Sequence, residues 1–322
     1  MTFFRRVFVT LSALIAIGLV PAARAAQSYI IVDPQSGFIF QQQEPKQKRQ
    51  VGSLTKVATA SVVLDWDEQR GGDLNQVATL TPEAFVGVPE NHIGFAPGDQ
   101  VQLRDLLYAA LVQSDNIAAN ALAHHVGGQL QGVVPAVAGV KTTPVGIFVG
   151  QMNALAKNLR MEKTKFVNPT GSDNKVRPMP FSTAEDMARL TRYAINKASL
   201  RFYVSQKERQ ISFDRGGKKL NYMLRNTNEL LGRNGVDGVK TGRTAHAGDC
   251  LILSANRESE VVKEGQMTRV FPRNLIVVLL ASPNRFGEGA GMVQLGWQLY
   301  DQWAAAGRLI DPKKNLDPPK AP

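Results

Sequence analysis

Tyr29-Ile30-Ile31-Val32-Asp33-Pro34-Gln35-Ser36-Gly37-Phe38-Ile39-Phe40 decides how the chain is organised. Two runs of β-branched and aromatic residues flank five turn-forming residues, which is the pattern of a β-hairpin. A hairpin this early needs a sheet to join, and strongly β-prone runs return only in the last third, at residues 236–242, 250–255 and 275–281. Between the two ends the pattern is helical. Leu103, Leu106, Leu107, Ala110 and Leu111 fall at i, i+3, i+4, i+7 and i+8, and Ile117, Ala118, Ala121 and Leu122 resume the period after a polar corner. Residues 183–196 predict a further helix with Thr183 and Asp186 available for its first turn, and Met292, Leu295, Leu299 and Trp303 mark a C-terminal one. Strands at both ends around a helical middle predict an α+β domain: a five-stranded antiparallel sheet flanked by helices, with a helical lobe inserted.

Working outward, the first 25 residues stand apart from this domain. Arg5 and Arg6 precede an apolar run from Val7 to Val20, then Pro21 and Ala23-Arg24-Ala25, the layout of a secretory signal peptide cleaved after Ala25. The run is shorter than the roughly 20 residues a membrane-spanning helix needs, so no transmembrane segment is expected in the mature chain. The expected organisation is a signal peptide over 1–25, one catalytic domain over 26–308 and a flexible Lys/Pro-rich tail over 309–322. Residues 131–148 and the charge-rich 257–273 read as surface excursions. Export, to the periplasm where there is an outer membrane, follows from the leader. The full chain carries 38 Lys+Arg against 27 Asp+Glu. Losing three arginines with the leader lowers the net charge from +11 to +8, which suits an anionic wall or membrane surface. Nucleic acid is not expected as a partner, because Lys46, Lys48 and Arg49 cluster without interleaved aromatics. A single cysteine, Cys250, and four histidines without a His-Glu-x-x-His run argue against a zinc hydrolase; no metal or other cofactor is expected.

Three short motifs carry chemistry. Ser53 and Lys56 are three apart at the start of the apolar helical run Leu54, Val57, Ala58 and Val62, which sets an amine beside a hydroxyl on one helical face. Such an amine activates the hydroxyl only when neutral, which burial or a second cation provides. A Ser-x-x-Lys string alone arises about once by chance at this length, and residues 172–175 are a second one. Ser114-Asp115-Asn116 occupies the corner between the two central helices. Ser172-Asp173-Asn174 repeats that triplet in a turn-rich stretch without flanking helices, so residues 114–116 are the candidate set. Lys240-Thr241-Gly242 ends a β-prone run, where the glycine permits close approach and the cation and hydroxyl suit a carboxylate.

In this order, each on the element its chemistry needs, the three motifs resemble those of penicillin-binding proteins and class A β-lactamases. Ala121-Leu122-Ala123-His124-His125, Phe166-Val167-Asn168-Pro169-Thr170-Gly171, Arg225-Asn226-Thr227-Asn228 and Gly238-Val239-Lys240-Thr241-Gly242 extend the resemblance to the low-molecular-mass penicillin-binding proteins, over roughly residues 27–305. It is nearest to the short D-alanyl-D-alanine endopeptidases. Longer family members carry a second β-rich domain and an amphipathic anchor, whereas here little follows Trp303.

The resemblance implies the β-lactamase/transpeptidase-like fold and a serine acyl-transfer enzyme acting on peptidoglycan peptides, with β-lactam antibiotics as covalent inhibitors. It implies Ser53 as nucleophile, Lys56 as general base and Ser114 as proton relay to the leaving amine. Asn116 would hold the substrate amide and Lys56; Lys240, Thr241 and Arg225 would orient the terminal carboxylate. The backbone N–H groups of Ser53 and Arg243 would form the oxyanion hole. An alternative for Arg225 is a structural pair with Glu229. Chain length favours the endopeptidase, with D-alanyl-D-alanine carboxypeptidase activity at the same site as the alternative. A β-lactamase lacks support, since Glu162 is followed by Lys163-Thr164-Lys165-Phe166 and not by the Glu-x-x-Leu-Asn setting; a non-catalytic penicillin-binding sensor is the remaining alternative.

Overall fold

The computed structural model describes residues 26–134, 142–173, 177–265 and 267–316. The leader expected over 1–25, the middle of the 131–148 excursion and the end of the tail therefore lie outside the described residues.

The chain opens with β1 (Ser28–Val32) and β2 (Ile39–Gln43). The Asp33 carboxylate closes the turn between them by accepting from Ser36 N at 2.7 Å and Ser36 Oγ at 2.6 Å, and Gly37 takes the left-handed φ of +79° that the return requires. A one-turn 3-10 stretch, Gly52–Thr55, leads into α1 (Lys56–Arg70). Next come β3 (Val77–Thr79), β4 (Gln100–Gln102), α2 (Leu103–Val112), α3 (Asn116–Leu130) and α4 (Pro144–Asn158). The helices α5 (Ala184–Ile195) and α6 (Ala198–Val204) follow, then β5 (Glu208–Arg215), β6 (Lys218–Arg225), β7 (Val236–Thr244), β8 (Gly248–Glu264), β9 (Met267–Ser282) and α7 (Arg285–Ala305).

The five-stranded sheet has the order β2-β1-β9-β8-β7, with every pair antiparallel. It joins the first strands to the last three, as the two ends of the sequence predict. Alternate residues of β8 and β9 face opposite layers. Ile252, Ile276, Val278 and Leu280 enter the large core shared with the helical lobe, while Leu251, Leu253, Leu275, Val277 and Leu279 pack on Val293, Trp297 and Tyr300 of α7. Burial on both faces explains why these strands read as continuous apolar runs. Thr183 caps α5 by accepting from Asp186 N at 3.0 Å, as its sequence predicts.

The structure corrects the sequence reading at four places. A second sheet, β3-β4-β5-β6, was not expected. Residues 257–273 are a surface excursion, but a paired one: β8 and β9 continue as a two-stranded arm with Val261 opposite Val270 and Lys263 opposite Thr268. With neither face buried, the arm shows no apolar alternation. The expected excursion at 131–148 ends in helix, because Thr143 caps α4 and Phe148 is fully buried. Residues 311–316 are not a loose tail. Asn315 bridges to Phe38, Leu316 is buried, and Arg189 Nη2 donates to Leu316 O at 2.6 Å.

Candidate active site

Ser53 stands on the 3-10 turn, one step before the helix, and Lys56 is the first residue of α1. The Lys56 ammonium stem is wholly buried, and its Nζ lies 2.8 Å from Ser53 Oγ, 2.7 Å from Asn116 Oδ1 and 3.2 Å from Thr170 O. Burial pulls the Lys56 pKa down to about 7, against the opposing attraction of the Asp115 carboxylate. The neutral amine has two N–H groups and one lone pair. Two carbonyl oxygens, on Asn116 and Thr170, take the N–H groups. The lone pair is then left for the Ser53 hydroxyl, which is the arrangement a general base requires.

Ser114 and Asn116 belong to the corner between α2 and α3. Asp115 is buried and caps α3 by accepting from Ala118 N at 2.7 Å, which locks the corner. Ser114 adopts a φ of +67°, a left-handed conformation unusual for a residue with a side chain, and so is held in place by its surroundings. Asn116 reaches Lys56.

Lys240, Thr241 and Gly242 lie near the end of β7, the edge of its sheet, where an extended peptide can add as a further strand. Lys240 is buried and donates to Thr241 O at 3.1 Å. Its pKa is lowered by burial first, and then by the charges of Lys56 and Arg285. The Thr241 hydroxyl is 2.6 Å from that of Thr227. Gly242 permits the close approach expected of it, since a Cβ there would stand 2.8 Å from Val51 O. At Gly52 a Cβ would lie 3.3 Å from Arg243 N, so the backbone at Arg243 abuts the turn that carries Ser53.

Two arginines differ in their placement. Arg225 ends β6 and is 81% exposed; its Nε is 3.4 Å from Glu208 Oε1, across the strand pair, and not with Glu229. The described contacts bring Thr227 to Thr241 and join the Arg225 backbone N–H to Gln113 Oε1 at 3.3 Å, beside Ser114, while the Arg225 side chain pairs with Glu208. Arg285, which the sequence reading missed, is only 17% exposed. Its Nη1 donates to Gly242 O at 3.0 Å and lies 3.4 Å from Asp249 Oδ1. The Arg243 side chain is exposed and shares Asp249, with Nε at 3.4 Å. Thr170 was likewise unforeseen, because its contribution is a backbone oxygen.

The family of D-alanyl-D-alanine carboxypeptidases, peptidase S11, matches residues 18–264. This chain belongs to that family. Within the D-alanyl-D-alanine carboxypeptidases it is 30% identical over 285 residues to the carboxypeptidase DacC of Escherichia coli, covering 86% of this chain and 62% of that protein. It is also 33% identical over 236 residues to the D-alanyl-D-alanine endopeptidase of the same organism, covering 71% and 66%. The chain thus spans somewhat under two thirds of the length of these curated relatives. Among solved structures, the Streptomyces K15 DD-transpeptidase superposes with a TM-score of 0.71 at 26% identity, covering 85% of this chain and 97% of that one. The fold is that of the penicillin-binding transpeptidases, α+β with a five-stranded antiparallel sheet. Among the described residues no helix is long and apolar enough to cross a membrane.

Proposed function

We propose that the protein is an exported serine D,D-peptidase that opens peptidoglycan cross-links through an acyl-enzyme on Ser53, a D-alanyl-D-alanine endopeptidase. The cage around Lys56 Nζ carries the catalytic part of this reading, because it leaves a neutral amine one use, to take the Ser53 proton. Ser53 Oγ attacks the D-alanyl carbonyl carbon as its proton passes to Lys56. The resulting oxyanion sits between the N–H groups of Ser53 and Arg243. Collapse breaks the C–N bond, and the leaving amine receives a proton through Ser114. Water then hydrolyses the ester. Lys240, Thr241 and Arg285 supply the charge and hydroxyl for a carboxylate beside the scissile bond. A β-lactam presents the same carboxylate and amide, and would stop at the acyl stage.

The carboxypeptidase reading shares every step and differs in what leaves; the relatives bearing that name favour it. Mass spectrometry of products from defined muropeptides separates the two. Cleavage of cross-linked dimers with pentapeptide monomers left intact supports the endopeptidase, and release of D-alanine from monomers with dimers intact overturns it. If Ser53→Ala still bound labelled penicillin covalently, the acyl-enzyme reading itself would fall.

A further inference from the structure

The triplet Ser172-Asp173-Asn174 duplicates the catalytic one in sequence, yet its aspartate lies on a different wall of the cleft. Asp173 is 2% exposed. Its Oδ2 accepts a hydrogen bond from Thr244 Oγ1, and its Oδ1 lies 3.3 Å from His246 Nδ1. Thr244 Oγ1 in turn accepts from Ala247 N at 2.9 Å, which secures the turn between β7 and β8. Thr244 directly follows Arg243, the residue whose backbone N lies against the Ser53 turn.

The loop that ends in Asp173 is itself fastened to the nucleophile's side. Asn168 Oδ1 accepts from Thr170 N at 3.2 Å and Gly171 N at 2.7 Å, and Asn168 Nδ2 donates to Ser172 O at 2.8 Å. Thr59 of α1 donates to Pro169 O at 2.7 Å, and Thr170 O receives Lys56 Nζ. Gly171 presses on the catalytic turn so closely that a Cβ there would lie 1.9 Å from Gly52 O. A continuous strut therefore runs from α1 through residues 168–173 to Thr244.

We infer that Asp173 is a positioning residue: through Thr244 it fixes the spacing between the Ser53 turn and the Arg243 backbone, and so the width of the oxyanion hole. The inference rests on the acyl-enzyme reading above. An oxyanion hole that is too wide binds the ground state unchanged and fails as charge develops. The loss then falls on the rate of acylation and not on binding.

The test is rapid-mixing acylation of the full chain by benzylpenicillin, resolving the dissociation constant of the first complex from the acylation rate constant. Thr244→Val removes the hydroxyl at nearly constant volume, and Thr244→Ser restores it. Thr244→Val is expected to slow acylation by about ten- to a hundredfold with the dissociation constant changed by less than about twofold, the size of a small misplacement near the reacting atoms. Thr244→Ser is expected to recover the rate, and adding Asp173→Asn to Thr244→Val to cost nothing further. Should Thr244→Val not fold, Asp173→Ala alone, which removes the acceptor of the Thr244 hydroxyl, carries the same measurement, with a wild-type rate in it overturning the inference. A wild-type acylation rate in folded Thr244→Val, or weakened binding with the rate constant intact, overturns the inference while leaving Ser53 as nucleophile. Absence of a Ser53 adduct in the unaltered protein overturns the reading beneath it.

Discussion

Asn116 Oδ1 and Lys56 Nζ meet at 2.7 Å from positions 60 apart in sequence, and this contact ties the α2–α3 corner to the catalytic turn. Burial at this junction, opposed by the Asp115 charge, sets the charge state of the amine. With the Lys56 pKa at about 7, the rate of penicillin acylation should rise as pH passes through 7 and then level, since deprotonation creates the base. Asn116→Asp adds a carboxylate beside the amine, which favours the ammonium form and should move the rising limb up by about one unit or more. Asp115→Asn should move it down, because the Asp115 charge holds the pKa up. Limbs of both variants coincident with that of the unaltered protein would show that another group is titrating.

Burying Lys56 should also leave a mark on stability. Its folded pKa of about 7 lies below the unfolded value of 10.5, so between these pH values the unfolded chain binds more protons and stability rises with pH. The slope approaches about 1.4 kcal/mol per pH unit for one group. Lys56→Met lacks this group. The difference in unfolding free energy between Lys56→Met and the unaltered protein, from urea melts at pH 7.5, 8.5 and 9.5, should therefore shift in favour of the unaltered protein as pH rises. A pH-independent difference would mean that Lys56 keeps an ordinary pKa.

The sheet of the first and last strands was legible because it is apolar on both faces, and the turn at Asp33–Gly37 announces itself in residue type. The central helices were legible from their 3.6-residue period. The second sheet was not: β3 and β4 have three residues each, and β5 shows only Ile211 and Phe213 buried among charged neighbours. In the site, Ser53, Lys56 and Asn116 come together as their motifs predict, since local spacing and a helix corner place them. Arg285, Thr170 and Asp173 depend on how distant segments close on β7 and on backbone atoms, which no spacing encodes. The motif around Arg225 points to the carboxylate, whereas its side chain turns to Glu208.

Gly242 offers a steric test of the junction between β7 and the catalytic turn. A methyl group there meets the backbone oxygen of Val51 at 2.8 Å and Leu54 N at 3.2 Å, and neither can swing aside as a side chain end would. Gly242→Ala should push the strand from the turn and lower acylation by about a hundredfold, the scale of a misplacement near 1 Å. The check is the acylation rate of a variant whose circular dichroism is native. An unchanged rate would show that the strand has room to spare.

Carboxylate recognition separates the two arginines. Arg285 is mostly buried, donates to Gly242 O and, after burial and the Lys56 charge, adds to the lowering of the Lys240 pKa, so its charge is felt at Lys240, to which the proposed function gives the substrate carboxylate. Arg225 is exposed and paired with Glu208. Loss of one charge-assisted hydrogen bond typically costs about 1.5 to 3 kcal/mol, or roughly ten- to 150-fold in kcat/KM. Arg285→Ala should therefore slow acylation by a peptide ending in a free carboxylate by about that factor more than by its C-terminal amide. Arg225→Ala should treat both substrates as the unaltered protein does, with an unchanged melting temperature, because an exposed pair contributes little. Side-by-side kinetics on the acid and the amide decide the matter. Discrimination lost in Arg225→Ala but kept in Arg285→Ala would return the carboxylate to Arg225 and leave Arg285 a structural clasp between Gly242 and Asp249.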